Sequence, residues 1–220
     1  MTSSDPSYLA PGVYVDSDHP DVIAYAQEIV GDATTDADKC ARLFRAVRDR
    51  LRYDPYVVTI DPADYKASRI LSRKRSFCVP KAVLLCALAR AAGVPARVGF
   101  SDVKNHLSSE KLRETMGTDL FVFHGWVELW IDGVPRKASP AFNAELCAKF
   151  GVPPLEFDGT GDALMQPFTG DGQRLMEYVH DRGAFLDLPY EEMLRAFAET
   201  YAKNGVPTLP SRTDEAFHES

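Results

Sequence analysis

Two residues combine the right side-chain type with the right surroundings for nucleophilic chemistry. Cys78 stands in SFCVPKAVLLCALARAAGV, an apolar run without a polar face in which Pro80 is tolerated only in the first turn of a helix. The pattern predicts a buried helix that starts near Cys78 and ends at Gly93 and Pro95. At such a start the unpaired N–H groups and the positive end of the helix dipole favour a thiolate and can hold a developing oxyanion. Arg73, Lys74, Arg75 and Lys81 add to that field. A cysteine nucleophile also needs a base close in space rather than in sequence, and His124, at the head of the β-prone run HGWVELWIDGVPRKASP, is the candidate. The same residues also fit a plainer reading, with Cys78 a small buried side chain and His124 a structural histidine. Cys86, in the middle of the apolar helix, has none of these features.

The elements that must position this pair can be read around it. Pro20 to Val30 predicts a helix closed by Gly31. Thr35 with Asp38 is an N-cap pattern for a second helix, in which Cys40, Leu43, Phe44, Val47 and Leu51 recur at helical spacing. Asp61–Pro62 predicts a third helix to about Arg73. ARVGF fits a short strand after the Cys78 helix, and residues 102–119 read as a polar irregular stretch with a short helix. Asp132–Gly133 between two β-prone runs is a two-residue hairpin turn. That turn pairs Ile131 with Val134, Glu128 with Lys137, Trp126 with Ser139 and His124 with Ala141. His124, Trp126, Glu128 and Trp130 then share one face, and Ser139 lies diagonal to His124 within hydrogen-bonding reach. Residues 151–172 read as a surface loop, and a final helix is expected from Pro189 to Gly205, followed by a polar tail from Pro207. His19 falls near a helix start, His106 in a loop, His180 in a helix and His218 in the tail.

RLFRAVRDRLRYDPY, SFCVPKAVLLCALARAAGVPARVGF and FHGWVELWIDGVPRKASP together resemble the transglutaminase-like cysteine enzyme superfamily over roughly residues 40–142. The resemblance implies an α+β papain-like fold: helices packed on an antiparallel sheet, with the nucleophile at the N-terminus of the central helix. It also implies Cys-His-Asp catalysis of acyl transfer or amide hydrolysis, with Cys78 as nucleophile and His124 as base. The third position departs from the pattern: Ser139-Pro140-Ala141 stands where the family carries an aspartate. A serine hydroxyl can orient an imidazole but brings no charge to stabilise imidazolium. Asp102, Asp119, Asp158 and Asp162 are carboxylates the sequence does not place. Tyr53 and Tyr56 fall near the cleft of similar proteins, as oxyanion donors or as rim aromatics, and Trp126 is a candidate cleft wall.

Composition bounds these readings. With 220 residues, 45% hydrophobic and 26% charged, the chain suits one globular domain, with a core over about residues 20–145 and a C-terminal loop and helical extension over 146–205. A net charge of −7 argues against nucleic acid as the main partner. Four cysteines without CxxC or zinc-ligand spacing point away from a disulfide framework and from a metal site. No cofactor is expected. Without a secretory leader or a membrane-spanning run, the cytoplasm is the expected compartment. Expected partners are a peptide, protein or small amide substrate. The expected activity is cysteine-dependent amide hydrolysis; the alternatives are amine transfer of the transglutaminase type, or a binding scaffold that lost the triad acid.

Overall fold

The computed structural model describes residues 5–105, 114, 116–164 and 176–201. Helix α1 runs Pro20–Val30 and α2 runs Asp36–Arg50, with the Thr35 hydroxyl accepting the Asp38 N–H. The short strands β1 (Arg52–Tyr53) and β2 (Arg75–Ser76) pair in parallel. Between them lie a 3₁₀ turn, Pro62–Tyr65, and the single-turn helix α3, Ala67–Ile70. The continuous helix expected from Asp61 to Arg73 is therefore broken. Its backbone turns extended at Lys66, and Ala67 N–H donates to Tyr14 O instead of continuing the helical ladder. A tertiary hydrogen bond overrides local propensity there.

Helix α4, Cys78–Ala91, is buried on every side from Val79 to Arg90, which explains its lack of a polar face. Its two buried cations are satisfied by main-chain carbonyls. Lys81 donates to Arg48 O and Leu51 O at the end of α2, and Arg90 donates to Ala96 O, Ala10 O and Leu186 O. Strands β3 (Ala96–Asn105), β4 (Leu120–Ile131), β5 (Val134–Ala138) and β6 (Met176–Phe185) form one antiparallel sheet in the order β5-β4-β3-β6. Leu84, Leu85 and Leu88 of α4 meet Val98, Phe100, Val127 and Leu129 of this sheet in the main core. Helices α5 (Ala144–Lys149) and α6 (Tyr190–Tyr201) complete the described fold, an α+β architecture.

Two further expectations are corrected. β3 continues through Asp102 to Asn105, where the sequence suggested irregular chain, and His180 lies in β6 rather than in a helix. β6 forms the outer edge of the sheet and Glu177–Asp181 are exposed, so it lacks the apolar alternation that marks a half-buried strand. The hairpin register agrees with expectation at Ile131–Val134 and Glu128–Lys137, but the ladder ends at Val127–Ala138, short of the expected Trp126–Ser139 and His124–Ala141 pairs, because the Ser139 N–H donates to Ala163 O instead. His106, His218, Gly205, the tail from Pro207 and residues 165–172 of the expected loop lie outside the described residues. Among the described residues no helix is long and apolar enough to cross a membrane.

Candidate active site

Three local devices bring Cys78 to His124. The first is Gly125: a Cβ there would lie 2.8 Å from Cys78 O and 3.0 Å from the Ala82 Cβ. Only glycine lets the first turn of α4 sit this low on β4, and the Cys78 sulfur consequently accepts the Gly125 N–H. The sulfur thus lies one residue from His124 along β4.

The second device is a β-bulge. Register shifts between Ser101 and Val103, so that Val122 and Phe123 of β4 stand opposite Asp102. Phe123 adopts φ +56°, a left-handed conformation that aromatic residues rarely take. It is held there from two sides. Its N–H donates to Asp102 Oδ1 at 3.0 Å, and Arg182 lies 4.4 Å over its ring. Arg182 also grips the Asp102 carboxylate with two hydrogen bonds of 2.6 and 2.9 Å. The Asp102–Arg182 pair therefore sets the backbone immediately before His124.

The third device is the end of β5. Pairing of β4 with β5 stops at Val127–Ala138. Ser139 then turns away, its N–H donating to Ala163 O, and its hydroxyl bridges Gly125 O and His124 Nε2, both at 3.2 Å. The hydroxyl has one proton. Donating it to the Gly125 carbonyl leaves the oxygen to accept from Nε2–H. This assigns the neutral tautomer protonated at Nε2 and leaves Nδ1 as the basic nitrogen, free to take a proton from a thiol.

Electrostatics correct one expectation. The thiol of Cys78 is not held low: burial pushes it up to about 11, opposed by N–H groups of Gly125, Val79 and Cys78 and by Lys81. Of the four cations expected to help, only Lys81 acts on the thiol, and weakly. Arg73 pairs with Asp64 and Arg75 with Asp54, while Lys81 is itself pushed down to about 7 by burial. Burial likewise pushes His124 down to about 4, and no charged neighbour opposes it. No carboxylate among the described residues takes the family aspartate's role. Asp102 is committed to Arg182 and Phe123, Asp119 lies 3.9 Å from Lys104, Asp158 accepts from Thr160, and Asp162 accepts from Lys137 N–H. Burial thus favours the uncharged thiol of Cys78 and the uncharged imidazole of His124.

The remaining candidates separate. Tyr53 packs with Cys78 on the small cluster of Val103, Ala141 and Met176, its ring edge-on to Phe142 at 4.8 Å. Burial, reinforced by Cys78, raises its phenol well above the usual tyrosine value, so it stays a neutral O–H. Tyr56 sits in the turn after β1, its N–H on Asp54 Oδ1, and does not belong to that cluster. Trp126 is buried, lying on Gly99 with its Nε1–H on Ser101 Oγ and Lys137 4.3 Å from its ring. It lines a cavity of about 330 Å³ with Lys137, Tyr178 and His180. Of the α4 N–H groups, Cys78 and Val79 reach the sulfur, Pro80 has none, and Lys81 N–H already serves Phe77 O. Two donors are left for an oxyanion.

Sequence reasoning missed Tyr201, whose hydroxyl accepts Val122 N–H at 2.9 Å, two residues from His124. It also missed Asn143, which holds the Tyr53 N–H at 3.0 Å. Tyr201 sits at an ordinary apolar helix position and carries no separate signal. The four cysteines are free thiols. Among the described residues no group of three or more His, Cys, Asp or Glu side chains is arranged to hold a metal ion.

Comparison with known proteins gives one family: the model of the transglutaminase-like superfamily matches residues 23–135. No curated protein matches the chain. Among solved structures, a candidate cysteine protease from Cytophaga hutchinsonii is 17% identical, with a TM-score of 0.48, over 82% of this chain and 46% of its own. A candidate protease from Parabacteroides distasonis is 15% identical, with a TM-score of 0.39, over 64% of this chain and 28% of its own. The chain spans less than half the length of either.

Proposed function

Because the chain belongs to the transglutaminase-like superfamily, we propose that it is a cysteine-dependent acyl-transfer enzyme that hydrolyses amide or peptide bonds through an acyl-enzyme on Cys78. The observation that carries this reading is the seating of the sulfur on Gly125 N–H beside an imidazole whose Nε2 is committed to Ser139. In this reading Cys78 serves as the nucleophile, His124 as the base through Nδ1 and Ser139 as the orienting group.

In this mechanism Cys78 attacks the amide carbonyl carbon while His124 Nδ1 takes the thiol proton. With the thiol at about 11 and the imidazole at about 4, the transfer accompanies attack instead of preceding it. The oxyanion draws on the Cys78 and Val79 N–H groups and the Tyr53 phenol. As the C–N bond breaks, the imidazolium returns its proton to the leaving amine. Water, deprotonated by Nδ1, then attacks the thioester and releases the acid and the free thiol.

The absence of a carboxylate at His124 favours a second reading, a binding protein on a catalytic scaffold: Ser139 contributes no charge to stabilise imidazolium. Profiling full-length wild type and Cys78→Ala against small amides and peptides, with and without an added primary amine, decides between them. Cys78-dependent release of acid and amine supports hydrolysis. Incorporation of the added amine shifts the assignment to amine transfer, and turnover no greater than that of Cys78→Ala leaves the binding protein.

A further inference from the structure

The segment leading into Cys78 also builds a cleft of about 630 Å³ with an unusual charge. In the β1–β2 ladder Arg52 and Arg75 are direct partners, so two guanidinium groups leave one face of a two-residue ribbon. Like charges directly opposed across strands repel. Both side chains are more than half exposed, 61% and 51%. Lys74 beside them is exposed as well, and Arg50 completes four cations on the walls against two carboxylates, Asp49 and Glu145. Asp49 is already engaged by Arg48 and by Ala144 N–H, Glu145 lies 3.3 Å from Arg52, and Arg75 lies 3.4 Å from Asp54, leaving Lys74 and the exposed faces of both guanidinium groups to a ligand. In a chain of net charge −7, the local sign is reversed.

The cleft adjoins the chemistry. Side chains alternate along a strand, so the ladder that sends Arg52 and Arg75 into the cleft turns Tyr53 and Ser76 the other way, where Tyr53 packs with Cys78. Asn143, a wall of the cleft, holds the Tyr53 N–H. Arg75 precedes Cys78 by three residues, which limits their backbone separation to about 10 Å, the span of two or three residues of an extended peptide.

We propose that this cleft recognises an acidic stretch of a peptide substrate, carboxylates of Asp or Glu two to three residues from the scissile amide. The assignment rests on the acyl-transfer reading for the amide and on the cleft alone for the acidic residues. A nucleic acid would present more negative charge to a protein that is acidic overall, which disfavours it as the occupant.

The test reads binding separately from turnover. Full-length Cys78→Ala is titrated, with anisotropy as the readout, against a fluorescent hexapeptide rich in glutamate around a central glutamine, its all-amide counterpart, and a single-stranded oligonucleotide of six nucleotides. The acidic peptide is expected to bind about tenfold tighter than the neutral one, with affinity falling as salt rises. That preference is expected to vanish when Arg52→Gln and Arg75→Gln are combined, and to weaken in the single surface variant Lys74→Glu. Equal binding of both peptides, an unchanged preference in the variants, or tighter binding of the oligonucleotide overturns the assignment. A chain that prefers the acidic peptide but turns over no amide overturns acyl transfer alone. Wild-type turnover indifferent to flanking acid overturns the cleft alone.

Discussion

The two ends of β4 are built on opposite principles. At the hairpin end the strand is regular: Ile131 pairs with Val134 across the Asp132–Gly133 turn, Glu128 binds Arg97 and the Trp130 indole, and Trp130 packs against Tyr8. Each residue there does what pairing and alternation dictate. At the His124 end the rules are broken in sequence. Phe123 is left-handed, β5 departs, and a sulfur occupies the position of a ladder acceptor on Gly125 N–H. Departures from regular pairing are retained where other groups over-determine them, and here Asp102, Arg182 and Ser139 do so. The difference teaches where to expect function along one strand.

Mutations at the two ends should therefore differ in kind. The largest effect is expected at the irregular end: His124→Ala lowers amide turnover by about 10³-fold, as loss of a general base does, and Cys78→Ala removes turnover altogether. The same histidine gives the fold an acid limit. Its folded-state value lies near 4, below the ordinary 6.5, so the unfolded chain binds the extra proton between those values. Stability from this residue is complete above pH 6.5 and declines by up to about 3 kcal/mol as pH falls towards 4. Chemical denaturation across that range should show the decline in wild type and a flatter profile in His124→Gln.

Next in size is the support of the bulge. Asp102→Ala strands the Phe123 N–H and leaves Arg182 only Glu192 at 4.0 Å, at a cost of about 3 kcal/mol, and displaces the imidazole enough to reduce kcat by about 10²-fold. Denaturation and turnover measured on one preparation check both figures. If stability falls with kcat intact, the bulge is scaffolding and does not aim His124.

Ser139 sharpens the contrast further. Ser139→Ala should cost about tenfold in turnover with a stability loss of about 1 kcal/mol, because it frees the tautomer without removing the base. Ser139→Asp sets a carboxylate against Nε2, raises the imidazole's proton affinity and stabilises imidazolium. Its signature is alkylation of Cys78 by iodoacetamide that levels off near neutral pH. In wild type the rate is expected to climb through pH 9 and beyond, since the thiol lies near 11. The smallest effect belongs to the regular end. Glu128→Gln weakens the Arg97 contact, costs about 1 kcal/mol of stability and leaves turnover unchanged.

The same contrast explains what the sequence made legible. Helix α4, the Thr35 cap and the hairpin register follow from proline placement, capping chemistry and turn residues, all local. Even the Ser139 hydroxyl's reach to His124 came from counting outward from the turn. The bulge was invisible, because a phenylalanine carries no signal for a left-handed backbone and Asp102 and Arg182 are far apart in the chain. β6 was hidden by its exposed polar face. The raised thiol is not legible locally, because Arg73, Arg75 and Lys81, near Cys78 in sequence, are bound in space to Asp64, Asp54 and main-chain carbonyls.

The most direct test of acyl transfer at the irregular end is intact-mass detection of a covalent intermediate. Full-length protein is mixed with an activated acyl ester, quenched in acid and mapped by peptide fragmentation. A single acyl group on Cys78, formed far more slowly in His124→Ala and never on Cys86, is the expected result. Acylation spread equally over Cys78 and Cys86, or a Cys78 adduct that forms as fast without His124, would contradict it.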